Sequence, residues 1–289
     1  MAPNDVPPCG FCSNPIPAPA ERCPHCGLPG LFPNVRAAER KAEVAALNQR
    51  YEGARADALA RGIDGPLQEF ERAVLTASVS ITRSIAELLR LASDDSELYA
   101  SYYQLTEAGV KLPKGQKWAA LREVADGALF TGYRKDIKFA ALTMDDRGLF
   151  NYGECSLFLR ERMIAHRASA FEENSVLFVI RKKIAMADAH DLPLGFRSTW
   201  EYRAKLCVAK LARRLESSSS SDDYPGLLMK QGETSEDDEF VEIHIWGPLT
   251  IRSIERVTVF RKPTGSGALT NAIKEKLQNA GIEVKEWTR

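Results

Sequence analysis

The spacing of apolar residues divides the chain into a helical first half and a second half rich in strands. Apolar residues recur every three or four positions over 44–58 and again over 67–88, with a Gly/Pro break at 62–66. This period predicts two amphipathic helices, and the short break predicts that they pair as an antiparallel hairpin. Because the second stripe is nearly heptad, it serves either as ordinary core packing or as a homodimer surface.

After Gly127 the period changes to two, and short runs of β-branched and aromatic residues alternate with helical patterns. Segment 175–181 is an apolar run that fits either a strand or a buried helix. Two further helices are predicted over 199–215 and 268–280. The predicted strands cover 137–144, 155–159, 239–246, 256–260 and 282–287. The fold class predicted from these elements is α+β.

Composition shifts along the chain predict three parts. Residues 1–34 are rich in proline, residues 35–127 form the helical region, and residues 128–289 form a mixed α+β domain. Within the last part, segment 217–238 begins with five serines and continues with many acidic residues. Few of its side chains are apolar, so ordering it gains little against conformational entropy. We expect a mobile acidic loop there.

Four cysteines near the start form two Cys-x-x-Cys pairs: Cys9 with Cys12, and Cys23 with Cys26. Ten residues separate the pairs, which is enough for a short hairpin. Four thiolates are the tetrahedral ligand set of structural zinc, and such a closed site leaves no position for catalytic water. The segment resembles a small zinc ribbon over about residues 9–27. Two disulfides are the alternative, but the first eight residues lack the pattern of a secretion signal.

The amino-acid composition argues against some classes of function. The 289 residues carry 39 basic and 39 acidic side chains, and this zero net charge argues against a generic nucleic-acid binder. Basic clusters at 181–183 and 213–214 nevertheless make region 134–214 a candidate surface for an RNA-directed binder or nuclease. No stretch approaches the roughly 18 apolar residues of a membrane span. We therefore expect a cytoplasmic protein without a membrane partner.

The clearest candidate for chemistry outside the cysteines is the strand over 240–246. Its residues alternate strictly, so Val241, Ile243 and Ile245 point to one face. The opposite face carries a carboxylate, an imidazole and an indole, from Glu242, His244 and Trp246. Such a set is suited to binding a ribose hydroxyl and stacking a flat ring. The alternative is a strand side that faces solvent.

This strand, followed by Gly247-Pro248 and by a second strand beginning Ile-Glu-Arg-Val at 254–257, resembles the last core strands of ADP-ribosyltransferase-fold proteins. In the toxin-like branch of that fold, three strands supply an arginine, a serine and a glutamate. Arg134, which follows an aromatic residue, Ser169 in the segment 166–171, and Glu242 occur in that order. The resemblance covers about residues 128–262.

The resemblance implies an NAD-dependent ADP-ribosyltransferase of toxin or defence type that modifies an unknown macromolecular acceptor. In that reading Arg134 holds the diphosphate of NAD, and Ser169 takes the serine position. Either Tyr152 or Trp246 stacks the nicotinamide.

Glu242 would stabilise the oxocarbenium charge that develops on the ribose. His244 departs from the family pattern, so the catalytic role falls to Glu242 or to His244. The main rival is a non-enzymatic adaptor, in which the zinc ribbon and the helical hairpin bind a protein partner.

Overall fold

The computed structural model describes residues 7–109, 115–184, 192–261 and 267–288. Within these ranges, eight strands form one sheet with helices on both faces. The strands are β1 (Ser78–Arg83), β2 (Ile137–Thr143), β3 (Cys155–Leu159), β4 (Ala168–Phe171), β5 (Arg197–Thr199), β6 (Glu242–Trp246), β7 (Ile254–Arg261) and β8 (Glu283–Thr288). Their spatial order is β5-β4-β6-β2-β1-β3-β7-β8. Neighbouring strands are antiparallel except for the parallel pair β7 and β8.

The first six helices precede the second strand. They are α1 (Pro33–Ala38), α2 (Lys41–Ala60), α3 (Asp64–Val74), α4 (Ile85–Leu91), α5 (Tyr102–Glu107) and α6 (Gly115–Leu129). The remaining helices lie between or after the later strands. They are α7 (Glu161–Ile164), α8 (Ser175–Lys182), α9 (Arg203–Leu211), α10 (Tyr224–Leu228) and α11 (Gly267–Asn279). A mixed α+β fold is therefore confirmed.

One face of the sheet, called here the aliphatic face, is covered by α2, α3 and α9. Val241, Ile243 and Ile245 of β6 lie on it and are fully buried. They belong to one large core cluster with the apolar stripes of the three helices, for example Leu47 and Phe70. The stripe that suggested a homodimer surface is thus buried within the chain.

The opposite face, called here the polar face, is covered by α6 and α8. Directly paired residues of antiparallel strands share a face, and β6 pairs Glu242 with Ala141 and His244 with Phe139. Aromatic side chains fill much of the layer below the helices; Phe130, which directly follows α6, and Phe178 of α8 belong to one buried cluster. The polar face therefore combines an aromatic core with buried polar side chains.

The predicted helix over 67–88 is wrong in its second half. The helix ends at Val74, and residues 78–83 form β1, at the centre of the sheet between β2 and β3. The sequence Ser-Val-Ser-Ile-Thr alternates with period two and is rich in β-branched residues, and the sheet pairing decides in favour of this period. The described part of region 35–127 therefore contains helices, connecting segments and one central strand. Segment 175–181, which fitted strand or helix, is helix α8.

The cysteine-containing segment is fastened to the body of the fold. Arg36 of α1 is buried and donates hydrogen bonds to the carbonyls of Leu31, Pro17, Ala18 and Ala20. The indole N–H of Trp246 donates to Glu21 Oε1 at 3.0 Å. Together these contacts seat the cysteine-containing segment over the end of β6.

Helices able to cross a membrane are missing from the part of the chain that the structure describes.

Candidate active site and metal centre

The four N-terminal cysteines converge on one point. Cys9 Sγ lies 3.7 Å from Cys26 Sγ, and Cys12 Sγ lies 3.5 Å from Cys23 Sγ. All four sulfurs lie within 4.8 Å of one another. A zinc ion with four sulfurs at about 2.3 Å has sulfur–sulfur edges of roughly 3.8 Å, so the tetrad fits a tetrahedral metal centre. These separations are much longer than the roughly 2.05 Å of a disulfide.

Asn14 supports one ligand of this centre. Its side-chain amide donates to Cys12 Sγ at 3.4 Å. The side-chain and backbone hydrogen bonds of Asn14 lower the pKa of the Cys12 thiol to about 6. A sulfur that receives a hydrogen bond in this way is held as the thiolate that a metal binds.

The second centre is a buried Glu–His pair on the polar face. Glu242 and His244 are each 2% exposed, and His244 Nε2 lies 3.0 Å from Glu242 Oε2. The same oxygen accepts the backbone N–H of Ser175 at 3.0 Å. Ser175 opens α8, whose N-cap residue Asn174 takes the next two N–H groups. Glu242 therefore lies at a helix N-terminus, where negative charge is favoured.

These contacts decide the charge of Glu242. Burial by itself would raise the pKa of this carboxyl. The hydrogen bond and charge of His244, the charge of Arg122 and the Ser175 N–H together outweigh burial and lower the pKa below its ordinary value. Glu242 is consequently an ionised carboxylate at neutral pH, in surroundings with little water to screen it.

Glu242 lines a half-open cavity of about 130 Å³ between α6 and the polar face of β1, β2 and β6. The walls of the cavity combine aromatic, aliphatic and polar side chains. They include Tyr102, Trp118, Phe139, Tyr152 and Phe240, together with the polar side chains of Arg122, Asn174 and Glu242. Both hydrogen bonds to the carboxylate end on Oε2, and Oε1 has no hydrogen-bond partner among the described residues. Oε1 is thus the oxygen that remains available to a ligand.

A buried arginine stands beside this carboxylate. Arg122 of α6 stacks over the rings of Phe139 and Tyr102, at 5.0 and 5.5 Å from their centroids. Its nearest acidic group is Asp126 Oδ2 at 3.6 Å, one helical turn away. That oxygen also accepts the hydroxyl of Tyr103 at 2.7 Å. Burial raises the pKa of Asp126, although Arg122 and Tyr103 oppose the shift.

The acidic segment closes the cavity on one side. Lys230 and Glu239 pair as an isolated antiparallel bridge, and the loop between them places Ser235 against the cavity. The Tyr152 hydroxyl donates to the Ser235 carbonyl at 2.9 Å. Asn151 Nδ2 donates to the buried Asp238 at 3.0 Å. The predicted acidic loop therefore has buried anchors that the sequence analysis did not foresee.

The structure brings three of the predicted site residues together. Glu242 and His244 are in contact, and Tyr152 lines the same cavity as Glu242. Ser169 pairs with His244 in the sheet, but its hydroxyl accepts from Asn34 Nδ2 at 3.2 Å, and it is not part of the cavity wall.

The other two predicted residues lie elsewhere. Trp246 is buried under the cysteine-containing segment, bonded to Glu21 and packed against Tyr133. Arg134 is partly exposed, 3.5 Å from Glu123 and stacked on Tyr103. Neither residue lines the cavity that contains Glu242.

Sequence reasoning missed Arg122, Trp118 and Asn174. Trp118, Arg122 and Asp126 recur at intervals of four residues, the spacing of one helix face, and this spacing was a readable signal. Asn174 before an apolar run was also readable, as a helix N-cap.

Sequence comparison adds no family to this picture: the chain matches no protein-family model and no curated protein. Function is therefore inferred from the geometry of these two centres.

Proposed function

We propose that the protein cleaves the nicotinamide–ribose bond of NAD and transfers the ADP-ribosyl group to a macromolecular acceptor, with Glu242 as the catalytic carboxylate. The observation that supports this most directly is the state of Glu242. It is buried and ionised, and its Oε1 is available in a cavity with aromatic side chains in its wall.

The chemistry of this bond cleavage suits such a carboxylate. As the bond between ribose C1′ and the pyridinium nitrogen breaks, its electron pair leaves with nicotinamide, and positive charge develops at C1′. A fixed negative charge in surroundings of low dielectric stabilises that charge without reorganisation. The acceptor nucleophile then attacks C1′ and loses its proton. His244 is a positioning residue here, because its ring bonds the other oxygen of Glu242.

The aromatic side chains of the cavity wall support a planar leaving group. Trp118 and Tyr152 both line the cavity with Glu242, so a pyridine ring has apolar surfaces to stack on. Of the two stacking residues expected from the sequence, Tyr152 is the one that this arrangement favours, because Trp246 lies under the N-terminal segment.

The cysteine tetrad has a structural role in this proposal. We assign zinc to Cys9, Cys12, Cys23 and Cys26, because four thiolates with the observed sulfur separations are the closed ligand set of that metal. When bound, the ion would fix the fold of the N-terminal segment over Trp246. None of the six cysteines takes part in a disulfide, which suits a reducing compartment such as the cytoplasm.

The test is release of nicotinamide from NAD by the zinc-loaded protein, measured by chromatography with cell lysate as the acceptor source. Glu242→Gln keeps the side-chain shape and removes the charge, so we expect turnover to fall by about 10²–10³. Glu255→Gln, at an exposed position of β7, is the matched control and should retain wild-type turnover. Wild-type protein without turnover, or equal turnover in Glu242→Gln, would refute the proposal.

A protein adaptor is the second candidate, and one observation favours it. Phe11, Leu28 and Leu31 of the N-terminal segment are 70%, 42% and 43% exposed. Exposed apolar side chains on a small rigid module are typical of a protein contact. If Phe11→Ser abolishes capture of a partner while NAD turnover is absent from the wild type, the adaptor reading replaces the enzyme.

An RNA-directed role has less support. Basic side chains of region 134–214 are largely engaged in internal contacts. Arg197 pairs with Glu43 at 2.7 Å, Arg214 pairs with Glu239 at 2.6 Å, and Lys210 is bonded to the Phe240 carbonyl at 3.0 Å. These groups are not arranged as a free basic surface. Retention on RNA that falls steeply with salt would restore this reading.

A further inference from the structure

We infer that Arg122 is the residue that binds the phosphate of the nucleotide, a role that the sequence resemblance gave to Arg134. This inference rests on the proposed function, because it places the phosphate in the cavity that contains Glu242. It is argued from the hydrogen-bonding state of the guanidinium and from the charges of the cavity walls.

The guanidinium of Arg122 is largely buried and forms an ion pair with Asp126, but it donates no hydrogen bond within the described chain. Its side chain is 11% exposed, and it lines the cavity. A guanidinium has five N–H donors. Among the described residues no acceptor lies within hydrogen-bond distance of Arg122; Asp126 approaches only to 3.6 Å. The aromatic rings on which it stacks offer no lone pairs.

Other buried arginines of this chain are engaged differently. Arg36 is bonded to four backbone carbonyls, and Arg167 to three, those of Met163, Trp246 and Pro248. These two arginines stabilise the fold by binding backbone carbonyls. Because buried donors without partners cost free energy, a guanidinium that is oriented by stacking and left without acceptors points to a ligand that supplies them.

The charges of the cavity indicate which kind of ligand. The cavity wall has two cations, Arg83 and Arg122, and one anion, Glu242. Arg83 is already engaged, by Glu87 at 3.5 Å and by the Thr82 carbonyl at 2.9 Å. Arg122 is therefore the cation without a hydrogen-bond acceptor among the described residues. A complementary ligand has an electron-deficient centre close to an anionic oxygen group. The nicotinamide ribose phosphate half of NAD has both, a pyridinium and a phosphate. The forked guanidinium can also donate to two phosphate oxygens at once, whereas a single carbonyl would engage only half of its donors.

Arg134 is less suited to this role. It is partly exposed, pairs with Glu123 at 3.5 Å and contacts the outer side of Tyr103. The cavity wall does not include it. It nevertheless has the same charge as Arg122 and lies in the short helical turn Arg134–Asp136 after α6, so it is a matched control.

The experiment compares two ligands that differ only by a phosphate. Binding of nicotinamide mononucleotide and of nicotinamide riboside to the zinc-loaded full chain is measured by calorimetry, with total tryptophan fluorescence as a second signal. Wild type should bind the mononucleotide at least about tenfold more tightly, since hydrogen bonds to a charged group contribute about 1.5–3 kcal/mol. Arg122→Gln should lose that preference and keep its affinity for the riboside. Arg134→Gln should behave as wild type.

Two additions keep the result interpretable. Arg122→Lys retains the positive charge and most of the packing, so it should retain part of the preference, and melting temperatures will show that each variant is folded. Inorganic pyrophosphate is a probe that contains no nicotinamide. Its binding should weaken in Arg122→Gln and remain in Arg134→Gln.

The outcomes separate the two proposals. If Arg122→Gln keeps the full preference for the mononucleotide while Glu242→Gln abolishes NAD turnover, the phosphate assignment is wrong and the proposed function stands. If neither nicotinamide ligand binds wild type but pyrophosphate binds through Arg122, the anion site stands and the NAD function is wrong. If none of the three ligands binds wild type, both are wrong.

Discussion

The two faces of strand β6 bury different kinds of side chain. Val241, Ile243 and Ile245 are fully buried in the large aliphatic core against α2, α3 and α9. On the opposite face, Glu242 and His244 are as deeply buried, but they bond each other and border a cavity. Burial is therefore nearly equal on the two faces, while the kind of group that is buried differs completely.

This contrast shows which buried groups lower the free energy of the fold and which raise it. Burying an aliphatic side chain stabilises the fold, whereas burying a carboxylate and a guanidinium costs free energy unless both are well paired. Arg122 is not hydrogen-bonded within the described chain, and Glu242 has one unengaged oxygen. Residues of this kind are often found where a ligand completes their contacts, and the function proposed above therefore uses the polar face.

The largest effect is expected from the aliphatic face. Ile243→Ala should lower the free energy of unfolding by about 2–5 kcal/mol, because a fully buried side chain leaves a cavity in a packed core. Turnover per folded molecule should stay unchanged. Urea unfolding and the NAD assay on the same preparation measure both. A large loss of turnover without loss of stability would mean that the two faces are not separable.

Loss of the metal should act at the end of β6. Cys23→Ser, or chelation of the metal, should unfold the N-terminal segment and free Trp246 from Glu21, at a cost of about 1–3 kcal/mol for the exposed polar contacts. Tryptophan emission should shift to longer wavelength while the circular dichroism of the sheet persists. If emission is unchanged and no zinc is found by elemental analysis, the metal assignment fails.

The pH dependence of the free energy of unfolding should distinguish two carboxyl groups on the polar side of the sheet, those of Glu242 and Asp126. The pKa of Glu242 is lowered, so its stabilising contribution is full above its unfolded value of about 4.3 and is lost as pH falls through the folded value. The pKa of Asp126 is raised, so its contribution is present at low pH and is lost as pH rises through the folded value.

Melting temperatures from about pH 3 to about pH 8 test these signs. Glu242→Gln should reduce the loss of stability at the acid end, and Asp126→Asn should reduce the loss on raising the pH. Ile243→Ala should shift the whole curve without changing its shape. Equal changes of shape in the two carboxyl variants would contradict the assignment.

The smallest effect concerns the acidic segment 217–238, which the sequence predicts to be the most mobile part of the chain. Asn151→Ala removes hydrogen bonds to Gly232 and Asp238, each worth about 1 kcal/mol. Limited proteolysis should cut wild type first within this segment, and cut the variant there faster. First cleavage inside α3 instead would show that the segment is better protected than the aliphatic layer.

Local patterns predicted much of the fold because their periods were unambiguous. The alternation over 240–246 gave the two faces of β6 correctly, since period two is a property of the strand itself. The spacing of the cysteines likewise predicted their convergence into a cluster that could hold a metal ion. Strand β1 was predicted as helix because its residues also fit a helical spacing. Only its pairing with β2 and β3 distinguishes a strand from a helix here.

The candidate site was predicted less completely because its members come together only through long-range packing. Arg122 lies 120 residues before Glu242 in the sequence, and nothing local to either residue indicates the other. Arg134 was favoured because it follows an aromatic residue, a local feature that says nothing about where the side chain lies. Sheet order and the packing of α6 decide which arginine borders the cavity.

A crystal structure of the zinc-loaded protein soaked with NAD or nicotinamide tests the central claim most directly. The account predicts ligand density in the cavity between α6 and the polar face, with a ribose hydroxyl or the pyridine ring within contact of Glu242 Oε1. The same soak of Glu242→Gln should show the ligand bound without cleavage. An empty cavity at saturating ligand, or density only at another surface, would contradict the account.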